Sequence, residues 1–236
     1  MKAIILAGGK GTRLKPYTTI LPKPLMPIGE ISILEIILRQ LKYYNFNNIS
    51  IAVGYLSQII QAVIKDGKQF GLTVEYSLED KPLGTAGPIG LIKNISDNFI
   101  VLNGDTLTDL DYGAFMKYHQ ENDAIATIAT FEREVYIDFG IPETNEQGYM
   151  TKYIEKPSYN FAVSMGIYAF KPEIKKYIPT NKRLDIPDLL RNVAEDGQKI
   201  RCYKAKGFWL DIGRIDDYKT AIEEFENNKI RFLKDS

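Results

Sequence analysis

Gly8, Gly9 and Gly11 stand within four positions of one another, directly after the apolar run Ala3–Ala7. Glycine lets backbone N–H groups come close to an anion, because no Cβ stands in the way. Two cations follow, Arg13 and Lys23, ten positions apart, and Lys23 is held between Pro22 and Pro24. A glycine turn flanked by an arginine and a fixed lysine suits a polyphosphate, and a nucleoside triphosphate is the ligand this arrangement favours.

Two better-known glycine loops are excluded. Gly-x-Gly-x-x-Gly needs glycine at position 14, which is Leu14, and a Walker A loop ends Gly-Lys-Ser/Thr, whereas Gly11 is followed by Thr12 and Arg13. The plain alternative is a strand followed by a loop that is glycine-rich for no chemical reason; the Arg13 and Lys23 pair argues against it. Two aspartates also close apolar runs. Asp105 ends Val101–Asp105, and Asp211 follows Trp209-Leu210 and precedes Ile212-Gly213. Taken singly, an aspartate at a strand end serves more often as a cap or turn residue.

These residues need elements to hold them. Ala3–Ala7, Asn48–Val53, Thr73–Ser77 and Phe99–Asn103 read as strands. Between them, Ser32–Tyr44 and Ser57–Phe70 read as helices, and a third helix starts over Thr85–Ile92. This βα rhythm predicts an α/β fold with a Rossmann-like, mostly parallel central sheet flanked by helices. Ligands then belong at the C-terminal strand ends. The second half is less regular. Ala124–Phe131 and Phe161–Phe170 read as strands, Pro187–Glu195 and Asp216–Asn227 as helices, and Thr144–Gly148 as a turn between short strands. The 236 residues are expected to form a single domain, residues 1–110 as a nucleotide-binding half and 111–236 as the half for the second substrate.

Thirty basic and thirty acidic residues cancel, without a long run of one sign, which argues against a nucleic-acid or anionic-membrane partner. No apolar stretch approaches a membrane span, and the chain opens directly on a strand without a basic leader, so a soluble, cytoplasmic protein is expected. Cys202, the one cysteine, allows no internal disulfide; its strand-like surroundings predict a buried, inert thiol. His119, the one histidine, leaves no material for a histidine-rich metal site. Oligomeric state is open, with a homo-oligomer among the options.

The stretch Gly8–Leu14 with Pro22-Lys23-Pro24 resembles the opening of the sugar-1-phosphate nucleotidylyltransferases. The resemblance continues at Asn103-Gly104-Asp105, Glu155-Lys156-Pro157, Met165–Tyr168 and Trp209–Gly213, in the expected order over nearly the whole chain. It implies the nucleotide-diphospho-sugar transferase type of fold and an enzyme that joins a nucleoside triphosphate to a sugar 1-phosphate, releasing pyrophosphate. It also implies Mg²⁺ on Asp105 and Asp211, hard oxygen ligands for a phosphate-bridging cation. Arg13, Lys23 and Asp105 would be the catalytic residues. Leu6, Gly8, Gly9, Gly11, Thr12 and Asn103 would contact the nucleotide. Lys156 would hold the sugar phosphate and Glu155 the sugar hydroxyls, with a surface ion pair as their ordinary alternative, and Gly140 and Gly166 would bring backbone to the sugar ring. Many relatives carry a further C-terminal β-helix domain, for which this chain has no residues.

Two departures bear on specificity. Family members commonly have Asn-Ala-Gly where this chain has Ser164-Met165-Gly166, so the sugar cannot be copied from better-known relatives. The base-facing segment, Glu79–Pro88 with Gly84 at its turn, resembles the mannose- and heptose-1-phosphate guanylyltransferases. A Glu79 carboxylate could accept from the paired N1–H and amino donors of guanine, or it could be a helix N-terminal residue facing water. GTP with a mannose- or heptose-like 1-phosphate is therefore the expectation. UTP, dTTP or CTP remain alternatives, as does a non-sugar acceptor such as phosphocholine. A non-catalytic nucleotide-sugar sensor is the remote alternative, and no motif residue it would have lost is missing.

Overall fold

The computed structural model describes residues 1–234. Strand β1 (Lys2–Ala7) divides its side chains between two apolar layers, Ala3, Ile5 and Ala7 on one face and Ile4 on the other. A strand covered on both faces has no polar side to present, which is why β1 reads as an unbroken apolar run.

A short hairpin, β2 (Pro27–Ile28) and β3 (Ile31–Ser32), leads into α1 (Ile33–Tyr43). The Ser32 hydroxyl caps α1 by accepting the Glu35 N–H at 3.2 Å. Next come β4 (Asn48–Val53), α2 (Ser57–Ile64), β5 (Thr73–Leu78), α3 (Gly87–Leu91) and β6 (Phe99–Asn103). Two helices are shorter than the sequence suggested. The α2 helix stops at Ile64 because Lys65 and Gly67 take positive φ, and Lys68–Phe70 form a separate 3-10 turn. The α3 helix holds only Gly87–Leu91, since Gly87, Pro88 and Gly90 favour helix poorly.

Beyond β6 the order is β7 (Thr106–Thr108), α4 (Tyr112–Gln120), β8 (Ala126–Tyr136), β9 (Ile141–Thr144), β10 (Met150–Ile154), β11 (Ser158–Phe170), α5 (Ile186–Glu195), β12 (Ile200–Lys204), β13 (Trp209–Asp211), α6 (Ile215–Asn227) and α7 (Lys229–Phe232). The expected turn forms between β9 and β10, where Gly148 N–H donates to Asn145 O at 2.9 Å. Strands β8 and β11 run past the predicted ends. Their outer portions pair with each other as an arm whose residues are mostly exposed.

The main sheet has seven strands in the order β12-β8-β11-β6-β1-β4-β5, and β11 alone runs against the rest. Helices α1, α2, α4, α6 and α7 cover one face and α3 and α5 the other. From β1 the chain moves to β4 on one side, and β6 arrives on the other. The C-terminal ends of β1 and β6 thus form the switch point at which an open α/β sheet leaves a crevice.

His119 lies on α4, fully buried, with Nδ1 2.8 Å from the Thr127 hydroxyl, and burial lowers its pKa to about 4. It is a neutral core histidine. Cys202 departs from the expectation: it is exposed, because β12 is an edge strand and the cysteine faces outward from it.

Candidate active site

The crevice at the switch point is a cleft of about 660 Å³. The glycine turn after β1 forms one wall. Gly11 sits in the left-handed region at φ 59, and its carbonyl accepts from Leu14 N–H at 2.9 Å and from the Thr18 hydroxyl at 2.8 Å. A side chain at Gly11 would press on Thr18 and Lys23, whereas a Cβ at Gly9 would meet nothing within 4 Å. The turn is therefore tight at Gly11 and open to the cleft at Gly9.

The Pro-Lys-Pro segment forms the second wall. Pro22 is extended and Lys23–Leu25 make one 3-10 turn, closed by Leu25 N–H on Pro22 O at 2.8 Å. This turn buries the Lys23 side chain to 9% exposure and places Nζ 2.5 Å from Asp105 Oδ2. Asp105 Oδ1 is buried and, among the described residues, without a hydrogen-bond partner. Asp105 follows β6, and Gly104 N–H donates to Leu6 O at 2.9 Å, tying the end of β6 to the end of β1.

The third wall is the 79–85 loop. Burial raises the Glu79 carboxyl above the usual carboxylate range, while Oε2 accepts the Leu83 N–H at 2.8 Å. Glu79 Oε1 lies 2.6 Å from where a Cβ of Gly8 would be, so a side chain at position 8 would displace this carboxylate. The loop is pinned across the molecule: Asp185 Oδ1 accepts Thr85 N–H at 3.0 Å, and Thr85 Oγ1 accepts Ile186 N–H at 2.8 Å.

Leu6, Gly8, Gly9, Gly11, Thr12, Arg13, Lys23, Glu79, Gly84, Asn103 and Asp105 all line this one cleft. Asp211 joins them by a different route. Strand β13 pairs with β7 so that Asp211 is opposite Thr106, and Ile212 N–H donates to Asp105 O at 3.1 Å. Desolvation first, and then the negative charge of Asp105, raise the Asp211 carboxyl above its ordinary value, against the pull of Lys23 and Arg13. The Arg13 guanidinium reaches toward this segment, 3.2 Å from a Cβ built on Gly213. Gly166 takes φ 72 in a bulge of β11, and a Cβ there would fall 2.4 Å from the amide nitrogen of Asn103, which lines the cleft.

The remaining residues singled out by sequence, Gly140, Glu155 and Lys156, lie at the base of the β9–β10 hairpin, which extends the β8–β11 arm, and are not among the residues that line the cleft. Strand β8 runs parallel to β1 and β6, so the arm projects from the same edge of the sheet at which the cleft opens. Gly140 packs against the Tyr153 phenol. Glu155 and Lys156 are exposed and, among the described residues, make no hydrogen bond or ion pair; Lys156 holds φ 41 ahead of Pro157. A positive φ is costly for a lysine, which has a Cβ.

Sequence reasoning missed Gly54 and Tyr55, which line the cleft beside Gly8; Lys10, Lys81 and Thr85 also line it, inside segments that were singled out but without being named as contacts. The signal for Gly54 was present, since it follows β4, the strand next to β1, and a ligand at the switch point must pass its C-terminal end. Among the described residues no cluster of three or more histidine, cysteine, aspartate or glutamate side chains is poised for a metal. Asp105 and Asp211 are a pair.

The fold and the glycine-lined crevice are those of a nucleotide-binding α/β protein. The chain matches the nucleotidyl transferase family over residues 2–228, and it belongs to that family. It is 36% identical over 98% of its length to a UTP–glucose-1-phosphate uridylyltransferase of Synechocystis sp.. To the mannose-1-phosphate guanylyltransferase catalytic subunit beta of Xenopus tropicalis it is 31% identical over 94% of its length. The chain spans 65% and 64% of these two relatives' own lengths. The crystal structure of HddC from Yersinia pseudotuberculosis complexed with GMP-PN superposes with a TM-score of 0.72 at 27% identity, over 95% of this chain and 99% of that one.

Proposed function

We propose that this protein is a sugar-1-phosphate nucleotidyltransferase. In this reading a sugar-phosphate oxygen attacks the α-phosphorus of a nucleoside triphosphate. The bond from that phosphorus to the bridging oxygen of the β-phosphate breaks, and pyrophosphate leaves. The observation that carries the proposal is the convergence of the glycine turn, Arg13, Lys23 and Asp105 on one cleft at the switch point.

Both reactants are anions, so positioning and charge stabilisation do most of the work. Backbone N–H groups of the Gly8–Thr12 turn would receive phosphate oxygens. Arg13 would present its planar fork to the leaving pyrophosphate, and Lys23 its ammonium to the α-phosphate as charge accumulates there. The buried, unpartnered Asp105 Oδ1 and the raised Asp211 carboxyl describe a site short of positive charge, which fits a divalent cation such as Mg²⁺. When bound, that ion would supply positive charge that offsets the charge of the phosphates. The cleft lining falls entirely within residues 6–105, which supports residues 1–110 of this single domain as the nucleotide half. The half from 111 to 236 would bring the sugar phosphate through Gly140, Glu155, Lys156 and Gly166.

GTP is the favoured nucleotide. Glu79 faces the cleft, and its carboxylate keeps acceptor capacity beyond the Leu83 bond for the two neighbouring donors of guanine. A mannose- or heptose-like 1-phosphate goes with it, as does a cytoplasmic setting, where nucleoside triphosphates are made. Among the described residues no helix is long and apolar enough to cross a membrane. The name of the Synechocystis relative supports a second reading, UTP with glucose 1-phosphate.

The test is pyrophosphate release from four nucleoside triphosphates against a panel of sugar 1-phosphates with Mg²⁺. GTP with mannose or heptose 1-phosphate should be the productive pair. Turnover with UTP and glucose 1-phosphate alone would replace it with the second reading. Silence across the whole matrix would remove the nucleotidyltransferase assignment for sugars, and phosphocholine would be tried next.

A further inference from the structure

The two aspartates of the cleft share a support that lies outside the main sheet. Asp105 immediately precedes β7, Asp211 is the last residue of β13, and the two strands form a separate antiparallel ribbon. Both carboxylates therefore emerge at one end of that ribbon. Its other end, about 10 Å away at the rise of a strand, is at Asp109 and Phe208.

That far end is fastened with unusual density. Asp109 Oδ1 accepts Phe208 N–H at 2.7 Å, and the Thr108 hydroxyl donates to Phe208 O at 2.7 Å. Asp109 Oδ2 accepts Arg231 Nε at 2.5 Å, while the same guanidinium donates to Glu224 Oε1 at 3.0 Å and lies over the Phe208 ring. The buried Gln40 amide of α1 donates both to Thr108 O at 2.8 Å and to Phe232 O at 3.1 Å, joining ribbon and α7. Gly207 leaves room for the Asp109 carboxylate, since any Cβ there would fall 2.4 Å from Oδ1.

We propose that Arg231 and Asp109 are positioning residues for the reaction: they clamp the β7–β13 ribbon from α7 and so set the separation of Asp105 and Asp211. The inference rests on the reading that these two aspartates hold the divalent cation. A four-residue helix with one buried aromatic adds little core of its own. Its arginine, in contrast, makes charge-assisted bonds to two elements at once. The carboxylate end is tied to the main sheet on the Asp105 side, through Gly104 N–H on Leu6 O, so the far-end clamp bears on how β13 and Asp211 are held against it; outer partners of metal ligands commonly govern affinity and rate.

The experiment compares Asp109→Asn, Arg231→Gln and their double variant with the unaltered protein. It measures Mn²⁺ affinity of the nucleotide-free protein by electron paramagnetic resonance, steady-state kcat and KM, and thermal unfolding. Asn at 109 can still accept Phe208 N–H but loses the charge that pairs with Arg231. Each single variant should weaken Mn²⁺ binding and lower kcat by about tenfold, with KM for the triphosphate unchanged. The double variant should be no worse than either single one, because one coupling is removed in all three. Phe232→Leu is the control for packing alone, expected to lower the melting temperature while leaving Mn²⁺ affinity intact. Variants that lose stability but keep wild-type Mn²⁺ affinity and kcat would overturn the proposal. If the unaltered protein itself bound no Mn²⁺ and turned over without a divalent cation, the metal reading would fall, and the inference with it.

Discussion

The Lys23 ammonium lies 2.5 Å from one oxygen of Asp105 while the other oxygen of that carboxylate is buried and unpartnered. Asp105 thus has one oxygen paired with Lys23 and one buried oxygen without a partner, and its charge is near enough to raise the Asp211 carboxyl. The arrangement holds a cation in place and retains acceptor capacity for a second one.

Loss of either member should cost catalysis heavily. Lys23→Ala and Asp105→Asn are each expected to lower kcat on the order of 100- to 1,000-fold, the range for removing one group that stabilises transition-state charge. Lys23→Ala should also lower stability at neutral pH, because it leaves Asp105 beside Asp211 without a buried counter-charge. Pyrophosphate release and thermal melting check the two effects separately, and near-normal turnover in either variant would sink the role assigned to it.

Divalent cation should stabilise the folded protein by mass action. With Mg²⁺ at about 100 times its dissociation constant the gain is about 2.7 kcal/mol. The expected outcome is a melting temperature that rises with Mg²⁺ in the wild type and stays flat for Asp105→Asn combined with Asp211→Asn. An equal rise in both would place the ion elsewhere.

His119 makes a pH prediction with a definite sign. Its pKa is lowered to about 4 in the fold by burial, against an ordinary value of about 6.5. Between these values the unfolded chain binds the proton and the folded one does not, so the histidine's contribution is present above about pH 6.5. It is lost as pH falls toward 4, for a total of about 3 kcal/mol at most. Denaturant unfolding of wild type and His119→Gln from pH 7 to pH 4.5 should show a shallower decline in the variant. Parallel curves would mean that His119 is protonated equally in both states.

Glu79→Gln tests the base. The carboxylate can accept from both guanine donors, whereas an amide offers one acceptor and one donor, which suits a pyrimidine edge better. The ratio of kcat/KM for GTP over UTP should fall by about tenfold or more in the variant, since an unmatched polar group in a pocket discriminates strongly. An unchanged ratio would remove Glu79 from base recognition.

Much of the cleft was legible in the chain because its parts are local. A glycine turn, a lysine between prolines and an aspartate closing an apolar strand each state their geometry within a few residues, and parallel-sheet topology brings strand ends together. The helices were less legible. The left-handed backbone at Lys65 and Gly67 ends α2, and the Asp66-Gly67 pair was a turn signal that the helical reading passed over. Cys202 was misjudged because its alternation is that of a strand, and an edge strand has the same alternation as a buried one.

Local residue chemistry was thus enough for most strands of the main sheet, the glycine turn, the family motifs and the identity of the charged groups. Only the tertiary structure decided how they are deployed. It set β11 antiparallel between β8 and β6, stood Glu155 and Lys156 on an exposed arm, and paired β7 with β13 so that Asp105 and Asp211 share one ribbon. Those relationships depend on pairings between segments as much as a hundred residues apart. No local propensity encodes such a pairing, because its free energy appears only when both partners are in place and the entropy of closing the intervening chain has been overcome.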